Sequence, residues 1–439
     1  WLKSLATSGD GFCQSAALAV AGGHLGPTMT RGLLARSRAV LCAVHVPANR
    51  PFARTQRCSQ REGRPLHGGF PWLSGAAAAA AAIAVVSTPA VLLDEPKKKL
   101  SKGSVDNTEW KVDDCQSLDC LIFSGGAHRE LAEGIATAMG TSLGGITLKR
   151  FADGEVSLQI LESIRGKDVY LIQPTSPPVN ENLMELLLMI STCRRASAKR
   201  ITAVVPYYGY ARQDRKMSSR VPISAADVAR LLEAVGVDRV MAVDLHCGQI
   251  QGFFGPRVPV DNLEAQVIGL EYFKHKKLEN PVVISPDAGG VYRARKFQEG
   301  LIMRGVDDVG IAMMIKQRSG PNRIAQMDLV GQVKGSDVII VDDMIDTAGT
   351  LTEAAKELRR QGAKRIYAFA VHGLFNGPAI RRIEESPLME VVITDSISPN
   401  EQTRSCSKIT QLTIADMIAG AIARIHRKQS LQPLFENGE

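Results

Sequence analysis

The sequence predicts an α/β protein built from two tandem doubly wound parallel sheets. Three observations support this fold class. Short apolar runs alternate with helical segments from about residue 118 onward, the alternation passes through two halves of about 150 residues each, and each half opens on a strand followed by a glycine turn. Strands that alternate with helices pair in parallel, because each helix returns the chain to the edge where the previous strand began.

The first half contains four predicted strands separated by three predicted helices. Short runs of β-branched and aliphatic residues bounded by Gly or Pro favour buried strands, whereas apolar residues three and four apart favour helices. Gly140 is expected to end the first helix, since a left-handed residue is favoured there. The strands are predicted at 118–126, 168–174, 200–212 (running into a loop) and 239–246, and the helices at 128–140, 183–196 and 223–236.

The second half repeats this pattern after a linker. Gly362 is expected to end the helix that follows its third strand. The strands are predicted at 281–290, 308–317, 337–344, 365–373 and 391–397, and the helices after residue 290, at 351–361 and near 413–427. We therefore predict α/β domains at 117–265 and 266–427, followed by a C-terminal tail at 428–439.

The N-terminal quarter carries all of the excess positive charge. Residues 1–100 contain 12 Lys and Arg and 4 Asp and Glu, which equals the net charge of +8, so residues 101–439 are neutral. The basic pI therefore gives no reason to expect nucleic-acid binding by the folded part. An acid-poor, Arg-rich and Ser-containing segment is typical of an organelle transit peptide, and the alternative is a tail without a targeting role. In both cases residues 1–100 are predicted to be a disordered extension and 101–116 a polar linker.

A run of seven alanines, Ala76–Ala82, continues as an apolar stretch to Leu93. Its length would suit a membrane helix, but alanine is only weakly apolar and Pro89 interrupts the end, so no stable membrane association is predicted. The eight cysteines are scattered without a CxxC pair or a metal-ligand spacing. We therefore expect a reduced compartment without structural disulfides.

The strongest functional signal is VIIVDDMIDTAGTL at 338–351. A buried strand ends in carboxylates, passes through a loop of small residues and continues into a helix. The N–H groups of the loop and of the helix N-terminus can bind phosphate, whereas Asp342, Asp343 and Asp346 suit sugar hydroxyls and Mg²⁺. This combination favours a ligand with a phosphate at one end and vicinal hydroxyls, such as ribose 5-phosphate. An acidic strand end that merely caps a helix would not require the T-x-G-T turn.

Other polar stretches leave two interpretations open. Asp244 and His246 end an apolar strand on one side of it and could face a metal-bound phosphate, although a single histidine is usually structural. Asp153–Gly154 is typical of an exposed hairpin turn. The polar run at 212–216 fits a solvated loop or a triphosphate clamp, and the basic segment at 315–323 fits a mobile surface loop.

The stretch VIIVDDMIDTAGT closely resembles the phosphoribosyl-pyrophosphate (PRPP) binding motif of phosphoribosyltransferases, which consume PRPP, and of PRPP synthetases, which make it. Four further stretches favour the synthetases. DLHCGQIQGFF (244–254) resembles their signature, RFADGEV (150–156) and YYGYARQDRK (207–216) resemble their ATP-binding segments, and SPDAGG (285–290) resembles their second-domain metal loop. From about residue 122 to 426 the chain resembles ribose-phosphate diphosphokinases (PRPP synthetases) of the phosphate-regulated, plant organelle type. The resemblance implies that both domains have a phosphoribosyltransferase-like fold.

The resemblance implies transfer of a diphosphoryl group from ATP to the C1 hydroxyl of ribose 5-phosphate, with Mg²⁺ as the cofactor and AMP as the leaving group. It also implies four sets of site residues. Catalysis is expected from Lys316 and Arg318. ATP binding is expected from Phe151, Asp153, Gly154, Glu155, Arg212, Gln213 and His246. Ribose 5-phosphate binding is expected from Asp342, Asp343, Asp346, Thr347, Ala348, Gly349 and Thr350. Metal contacts are expected from Asp244, His246, Asp287 and, as a weaker candidate, Asp261.

Several residues depart from the usual pattern of this family. Gly255 stands at an acidic position, two residues are inserted before Val258, Ala226 replaces a common Lys, and Asp395 and Ser396 replace Asn and Thr. Gly255 keeps a non-catalytic regulatory paralogue as one alternative, and the PRPP motif taken alone leaves a phosphoribosyltransferase as another. The resemblance further implies a homo-oligomer in which dimers join into a hexamer. The composition of the N-terminal tail favours a plastid, with a mitochondrion as the alternative.

Overall fold

A computed structural model describes residues 118–320 and 323–435, with the side chains of 316–326 outside this description. The predicted transit segment, linker and alanine run lie outside the described residues. Within the described ranges, no helix combines the length and the apolar character needed to cross a membrane.

The first part of the chain forms a five-stranded sheet in which all neighbouring strands are parallel. In chain order its elements are β1 (Cys120–Ser124), α1 (Arg129–Ala138), β2 (Ile146–Arg150), β3 (Val156–Ile160), β4 (Asp168–Ile172), α2 (Val179–Arg195), β5 (Arg200–Val205), α3 (Ser224–Ala234), β6 (Arg239–Val243) and β7 (Val260–Leu263). The strand order in this sheet is β1-β4-β5-β6-β7, while β2 and β3 form a separate antiparallel hairpin. All five residues of β4 are buried, as expected for a strand with helices on both faces.

The second part forms a seven-stranded sheet. Its elements are α4 (Gln266–Lys274), β8 (Val282–Ser285), α5 (Val291–Met303), β9 (Gly310–Gly320), β10 (Arg323–Val330), β11 (Asp337–Ile345), α6 (Gly349–Arg360), β12 (Arg365–Gly373), α7 (Ala379–Glu385), β13 (Glu390–Thr394), α8 (Glu401–Ser405), β14 (Ile409–Leu412) and α9 (Ala415–His426). The strand order is β10-β9-β8-β11-β12-β13-β14, and only β10 runs antiparallel to its neighbour in this described sheet. The predicted fold class is confirmed. The β2–β3 hairpin and the short elements β7, α7, α8 and β14 were not predicted.

One hydrophobic core joins the two parts. Helix α9 follows the last strand of the second sheet, yet it packs against α1 beside the first sheet. Ile418 and Ile422 of α9 are fully buried, as expected for a helix that is apolar on most of its circumference. The same core contains Phe297 and Phe369, whose rings lie 5.3 Å apart. Gly269 is required beside them, because a Cβ there would lie 2.4 Å from the Phe369 ring.

Replacing Asp337 by Asn is expected to destabilise the pairing of β11 with β12. The fully buried Asp337 carboxylate accepts hydrogen bonds from the Glu279 N–H (2.6 Å) and from Arg365 Nε (2.8 Å). Burial acts to raise the pKa of Asp337, but the hydrogen bonds from Arg365 and the Glu279 N–H, together with the charge of Arg365, outweigh it and hold the pKa below its usual value. We expect urea denaturation at neutral pH to show a loss of about 2–3 kcal/mol in unfolding free energy. The wild-type advantage should be complete above the unfolded pKa of about 3.9 and should fade as the pH falls through the lowered folded pKa.

The matched control for this variant is Asp227→Asn. Asp227 pairs with Arg230 on the exposed face of α3, at 3.5 Å. An exposed pair of this kind contributes about 0–1 kcal/mol. Equal losses in the two variants at neutral pH would contradict the stabilising role of Asp337.

Candidate active site

The predicted phosphate loop lies between β11 and α6. Ala348 caps α6 in the left-handed conformation (φ 57°), which costs a non-glycine residue about 1–2 kcal/mol. Gly349 and Thr350 form the first turn of the helix. Arg382 donates a hydrogen bond from Nη1 to the Thr347 carbonyl (2.9 Å) and so holds the loop in place. This arrangement presents the first N–H groups of α6 at the carboxyl edge of the sheet, where an anion can bind.

Two neighbouring carboxylates, Asp342 and Asp343, lie near the end of β11. Nη1 of Arg293, in α5, lies 3.9 Å from Asp342 Oδ1 and 3.8 Å from Asp343 Oδ1. Burial raises the pKa of Asp342 well above its usual value, and the charge of Asp343 adds to this effect. Burial also acts to raise the pKa of Asp343, but a hydrogen bond from His246 and the charge of Arg293 hold it well below its usual range. The pair therefore combines an ionised Asp343 with an Asp342 carboxyl that an additional cation would help to ionise.

His246 reaches this pair from the first sheet. It lies just beyond the end of β6, and its Nδ1 is 2.6 Å from Asp343 Oδ2. The hydrogen bond to Asp343 raises the pKa of His246, although burial opposes it. The structure thus brings a predicted ATP- and metal-binding residue into direct contact with a predicted ribose-5-phosphate-binding residue.

A second contact joins the same two groups of residues. Arg212 Nη1 donates to Asp346 Oδ2 (2.8 Å), and the other carboxylate oxygen of Asp346 accepts from Asn376 Nδ2 (2.8 Å). Gln213, the neighbour of Arg212, instead accepts a hydrogen bond from Ser224 Oγ (2.6 Å) at the start of α3. Arg212 therefore lies at the β11–α6 loop, whereas Gln213 is engaged within the first part of the chain.

The structure does not bring the four predicted metal ligands together. Asp244 Oδ2 accepts a hydrogen bond from the Ala265 N–H (2.6 Å), and burial raises its pKa to about 7. Asp261 pairs with Arg239 at the amino end of β6, about 16 Å from the carboxyl end where Asp244 lies, at about 3.3 Å per strand residue. Asp287 is exposed after β8 and accepts from two glycine N–H groups. No group of three or more His, Cys, Asp or Glu within the described ranges is arranged to hold a metal ion. Asp261 therefore lies outside this site, because its carboxylate pairs with Arg239 toward the amino end of β6.

The predicted ATP-binding segment at 151–155 forms the turn of the β2–β3 hairpin. Asp153 Oδ1 accepts a hydrogen bond from the Glu155 N–H (3.0 Å), and Gly154 has a φ of 92° that favours glycine. Phe151 is 58% exposed at this turn. The segment has the exposed-turn geometry that the Asp-Gly dipeptide predicts, and it belongs to a two-stranded sheet separate from the one that carries His246.

The basic segment predicted as a mobile loop is a β-hairpin. Strand β9 continues to Gly320 and pairs antiparallel with β10, with Lys316 opposite Met327 in the backbone register. For the described residues of this segment the loop prediction was wrong, because a strand ladder satisfies their backbone hydrogen bonds. The side chains of Lys316 and Arg318 lie outside the described residues.

Four residues that contact the site were not predicted from the sequence. They are Arg293, His372, Asn376 and Arg382. Two of them could have been found from the sequence. His372 ends an apolar run at the carboxyl end of β12, and Asn376 follows that strand, as His246 follows β6. Nothing local to Arg293 or Arg382 distinguishes them from other helix-surface arginines.

The departure at Gly255 has a structural counterpart. Its N–H donates to Glu233 Oε1 (2.5 Å), and a Cβ on this residue would lie 3.1 Å from the same oxygen. A carboxylate from α3 therefore stands beside a position where the family usually has an acidic residue.

Two family models match this chain in the order of its two sheets. The N-terminal domain of ribose phosphate pyrophosphokinase matches residues 120–236, and the phosphoribosyl synthetase-associated domain matches residues 306–436. These matches assign the class of protein to which the fold and the site correspond.

Individual proteins give the same result. The ribose-phosphate pyrophosphokinase of Vibrio cholerae is 51% identical over 318 residues, which cover 72% of this chain and 99% of that protein. The ribose-phosphate pyrophosphokinase of Gloeobacter violaceus is 50% identical over 314 residues, covering 72% and 92%. The crystal structure of phosphoribosylpyrophosphate synthetase from Mycobacterium smegmatis superposes with a TM-score of 0.65 at 39% identity, covering 71% and 99%. This chain belongs to the ribose-phosphate pyrophosphokinase family.

Proposed function

We propose that this protein makes PRPP by transferring the β,γ-diphosphoryl group of ATP to the C1 hydroxyl of ribose 5-phosphate. The C1 oxygen forms a bond to the β-phosphorus, the bond from that phosphorus to the α,β-bridging oxygen breaks, AMP leaves, and the hydroxyl releases its proton. The observation that carries this proposal is the contact of His246 with Asp343 in β11 and of Arg212 with Asp346 in the β11–α6 loop. The sugar-phosphate site and the triphosphate site would thereby lie next to each other, at the carboxyl ends of β11 and β6.

Ribose 5-phosphate is proposed to bind along the β11–α6 loop. Its phosphate would accept hydrogen bonds from the first N–H groups of α6 and from the hydroxyls of Thr347 and Thr350. Its ring hydroxyls would donate hydrogen bonds to the carboxylates of Asp342 and Asp343. The ring is uncharged, so these carboxylates would not repel it. This division explains why a phosphate loop follows directly after acidic residues.

Cations around this edge are proposed to neutralise the triphosphate during transfer. Catalysis of phosphoryl transfer depends mainly on positioning and on charge stabilisation. Arg212 and His246, whose pKa is raised by the hydrogen bond to Asp343, already lie at the edge, each held by a carboxylate. Lys316 and Arg318 are proposed to add two further positive charges from the β9–β10 hairpin.

Mg²⁺ is the proposed cofactor: Asp342 and Asp343 would hold one ion, and Asp287 is proposed to contact a further one. The raised pKa of Asp342, caused by burial and by the neighbouring charge of Asp343, indicates a carboxylate pair that gains from an additional cation. Mg²⁺ typically takes one or two carboxylates together with waters and phosphate oxygens, so a cluster of three protein ligands is not needed. When bound, Mg²⁺ supplies charge neutralisation on the phosphate oxygens. Asp244 is left out of this set because its carboxylate holds the Ala265 N–H.

The test is AMP formation by the purified protein with Mg²⁺–ATP in the presence and absence of ribose 5-phosphate. We expect AMP only with the sugar phosphate, in equal amount to PRPP. Ribose without its phosphate is the matched control and should give little AMP, because it lacks the group that α6 would bind. AMP that forms without sugar would overturn the proposal. Bound ATP without AMP would favour the regulatory paralogue, and PRPP consumption with a nucleobase would favour a phosphoribosyltransferase.

Deleting residues 1–100 is expected to leave a soluble protein with unchanged turnover. We propose domains at 117–265 and 266–427 with a tail at 428–439, so this deletion would remove no part of either domain. The measurement is AMP formation by the truncated protein. Deletion of residues 1–125 is the matched control and should give insoluble protein, because it removes β1 and its pairing with β4. An insoluble product from the shorter deletion would contradict the proposed boundary.

We further propose a plastid location, regulation by phosphate and a homo-hexamer in which dimers are joined. The acid-poor, Arg- and Ser-containing N-terminal tail supports an organelle. Regulation and assembly rest on the resemblance to the phosphate-regulated synthetases. Neither nucleic acid nor a membrane is proposed as a partner, since residues 101–439 are neutral overall.

A further inference from the structure

The peptide bond between Asp244 and Leu245 is held from both sheets. Its N–H donates to Asn262 Oδ1 (2.9 Å) in β7 of the first sheet. Its carbonyl, that of Asp244, lies 3.1 Å from Nε2 of His372 in β12 of the second sheet. Both hydrogen-bonding groups of one peptide are therefore fixed, one residue before His246.

This peptide follows a strained residue. Asp244 has a φ of 39°, in the left-handed region that non-glycine residues seldom adopt. Such a conformation persists only where the surrounding structure determines it. The hydrogen bonds at the next peptide are suited to maintain it, and they set the direction in which the chain continues to His246.

His372 is itself held in one protonation form. It is 2% exposed, with Nδ1 2.9 Å from Ser396 Oγ. Because the Asp244 carbonyl can only accept, Nε2 must carry the hydrogen. Burial lowers the pKa of His372 to about 4, so the ring is neutral and its Nδ1 has no hydrogen. Nδ1 can therefore accept the single hydrogen of the Ser396 hydroxyl, which also lies 3.1 Å from the Val371 carbonyl. Ser396 therefore selects the tautomer that can donate to Asp244.

The same pair of strands also carries the partner of His246. Strand β12 pairs in parallel with β11, and His372 lies opposite Met344, the residue after Asp343. Asp343 therefore lies on β11, while His246 lies on a turn that a hydrogen bond from β12 holds in place.

We propose that His372 is a positioning residue for His246, which it orients through the Asp244–Leu245 peptide, with Ser396 selecting its tautomer. Its effect on catalysis rests on the proposed function, whereas its effect on the His246 ring does not. His372 touches no reacting group in this proposal and acts only by fixing a hydrogen-bonded turn.

The test compares His372→Leu, which removes the donor, with His372→Gln, whose amide nitrogen can take the place of Nε2–H. Both are made in the full chain. We expect His372→Leu to lower kcat about 100-fold with a smaller change in KM, because small misplacements of site groups have effects of this size. His372→Gln should restore kcat to within about tenfold of the wild type.

The second readout is the ring signal of His246 in spectra of protein with ¹³C-labelled histidine, recorded at one fixed pH. The chain has eight histidines, and His246→Asn identifies the signal. We expect the signal to shift in His372→Leu and to stay in place in His372→Gln. This readout decides the proposal even if the protein forms no AMP.

Ser396→Ala keeps the test decisive if His372→Leu fails to fold. It should shift the His246 signal in the same direction, because the tautomer is no longer selected. Ser386→Ala is its matched control, since the buried Ser386 hydroxyl donates to the Ile383 carbonyl (2.6 Å) without contacting His372. An unmoved His246 signal in Ser396→Ala, or equal shifts in Ser396→Ala and Ser386→Ala, would overturn the proposal.

Discussion

Replacing Asp343 by Asn is expected to lower the turnover number on the order of 10²- to 10³-fold, the usual effect of losing one charge-stabilising group in an active site. Asp343 pairs with His246 and Arg293 and is proposed to bind both the sugar and Mg²⁺. An amide retains the shape of this side chain but not its charge. Steady-state AMP formation measures the effect, and Asp227→Asn, on an exposed helix face, should retain wild-type turnover.

The same variant should change the titration of His246. The hydrogen bond to Asp343 raises the pKa of His246 in the wild type, so loss of the charge should bring that pKa down. A raised folded pKa stabilises the protein below the unfolded value of about 6.5, and this contribution is lost as the pH rises through the folded pKa. The part of the stability difference due to His246 should therefore be largest in acid. A His246 titration that is identical in the two proteins would show that the contact does not form in solution.

Replacing Lys316 by Ala is expected to retain ATP binding while turnover falls on the order of 10²- to 10³-fold. The proposed reaction gathers negative charge on the oxygens around the β-phosphorus, and Lys316 is proposed to neutralise part of it only during transfer. Calorimetric titration with ATP and steady-state AMP formation measure the two effects separately.

Two further variants make the Lys316 result specific. Lys316→Arg keeps the charge and should recover part of the turnover. Lys356→Ala removes a lysine from an exposed pair with Glu353 on α6 and should have little effect on turnover. Unchanged turnover in Lys316→Ala would remove this residue from the mechanism, and a loss of ATP binding would move its role from transfer to binding.

The sequence was sufficient to predict those features whose pattern lies within a short segment. Strand–helix alternation predicted both parallel sheets, and the carboxylates, small loop and helix of 338–351 predicted the β11–α6 turn that the structure contains. The rule that ligands bind at the carboxyl ends of parallel strands selected His246 and Asp343, which are 97 residues apart and meet in the fold. It could not show that they meet each other.

Other features depended on long-range contacts that no local pattern reports. Asp261 was assigned to the metal by its surroundings in the sequence, but in the fold it lies opposite Met241 and its carboxylate pairs with Arg239 at the amino end of β6. The basic segment at 315–323 lacks strand periodicity, and only pairing with β10 makes it a strand.

By itself, then, the sequence determined the fold class, the acidic phosphate loop and the family, because these depend on periodicity, turn chemistry and residue order within short segments. Only the tertiary structure decided which charges meet. His246 with Asp343, Arg212 with Asp346, and His372 with the Asp244 carbonyl each join residues separated by about 100 positions or more. The physical reason is that α9 packs on α1 and both sheets fold around one core, which sets the distances between these residue pairs. Such packing depends on residues from the whole chain, not on any one segment.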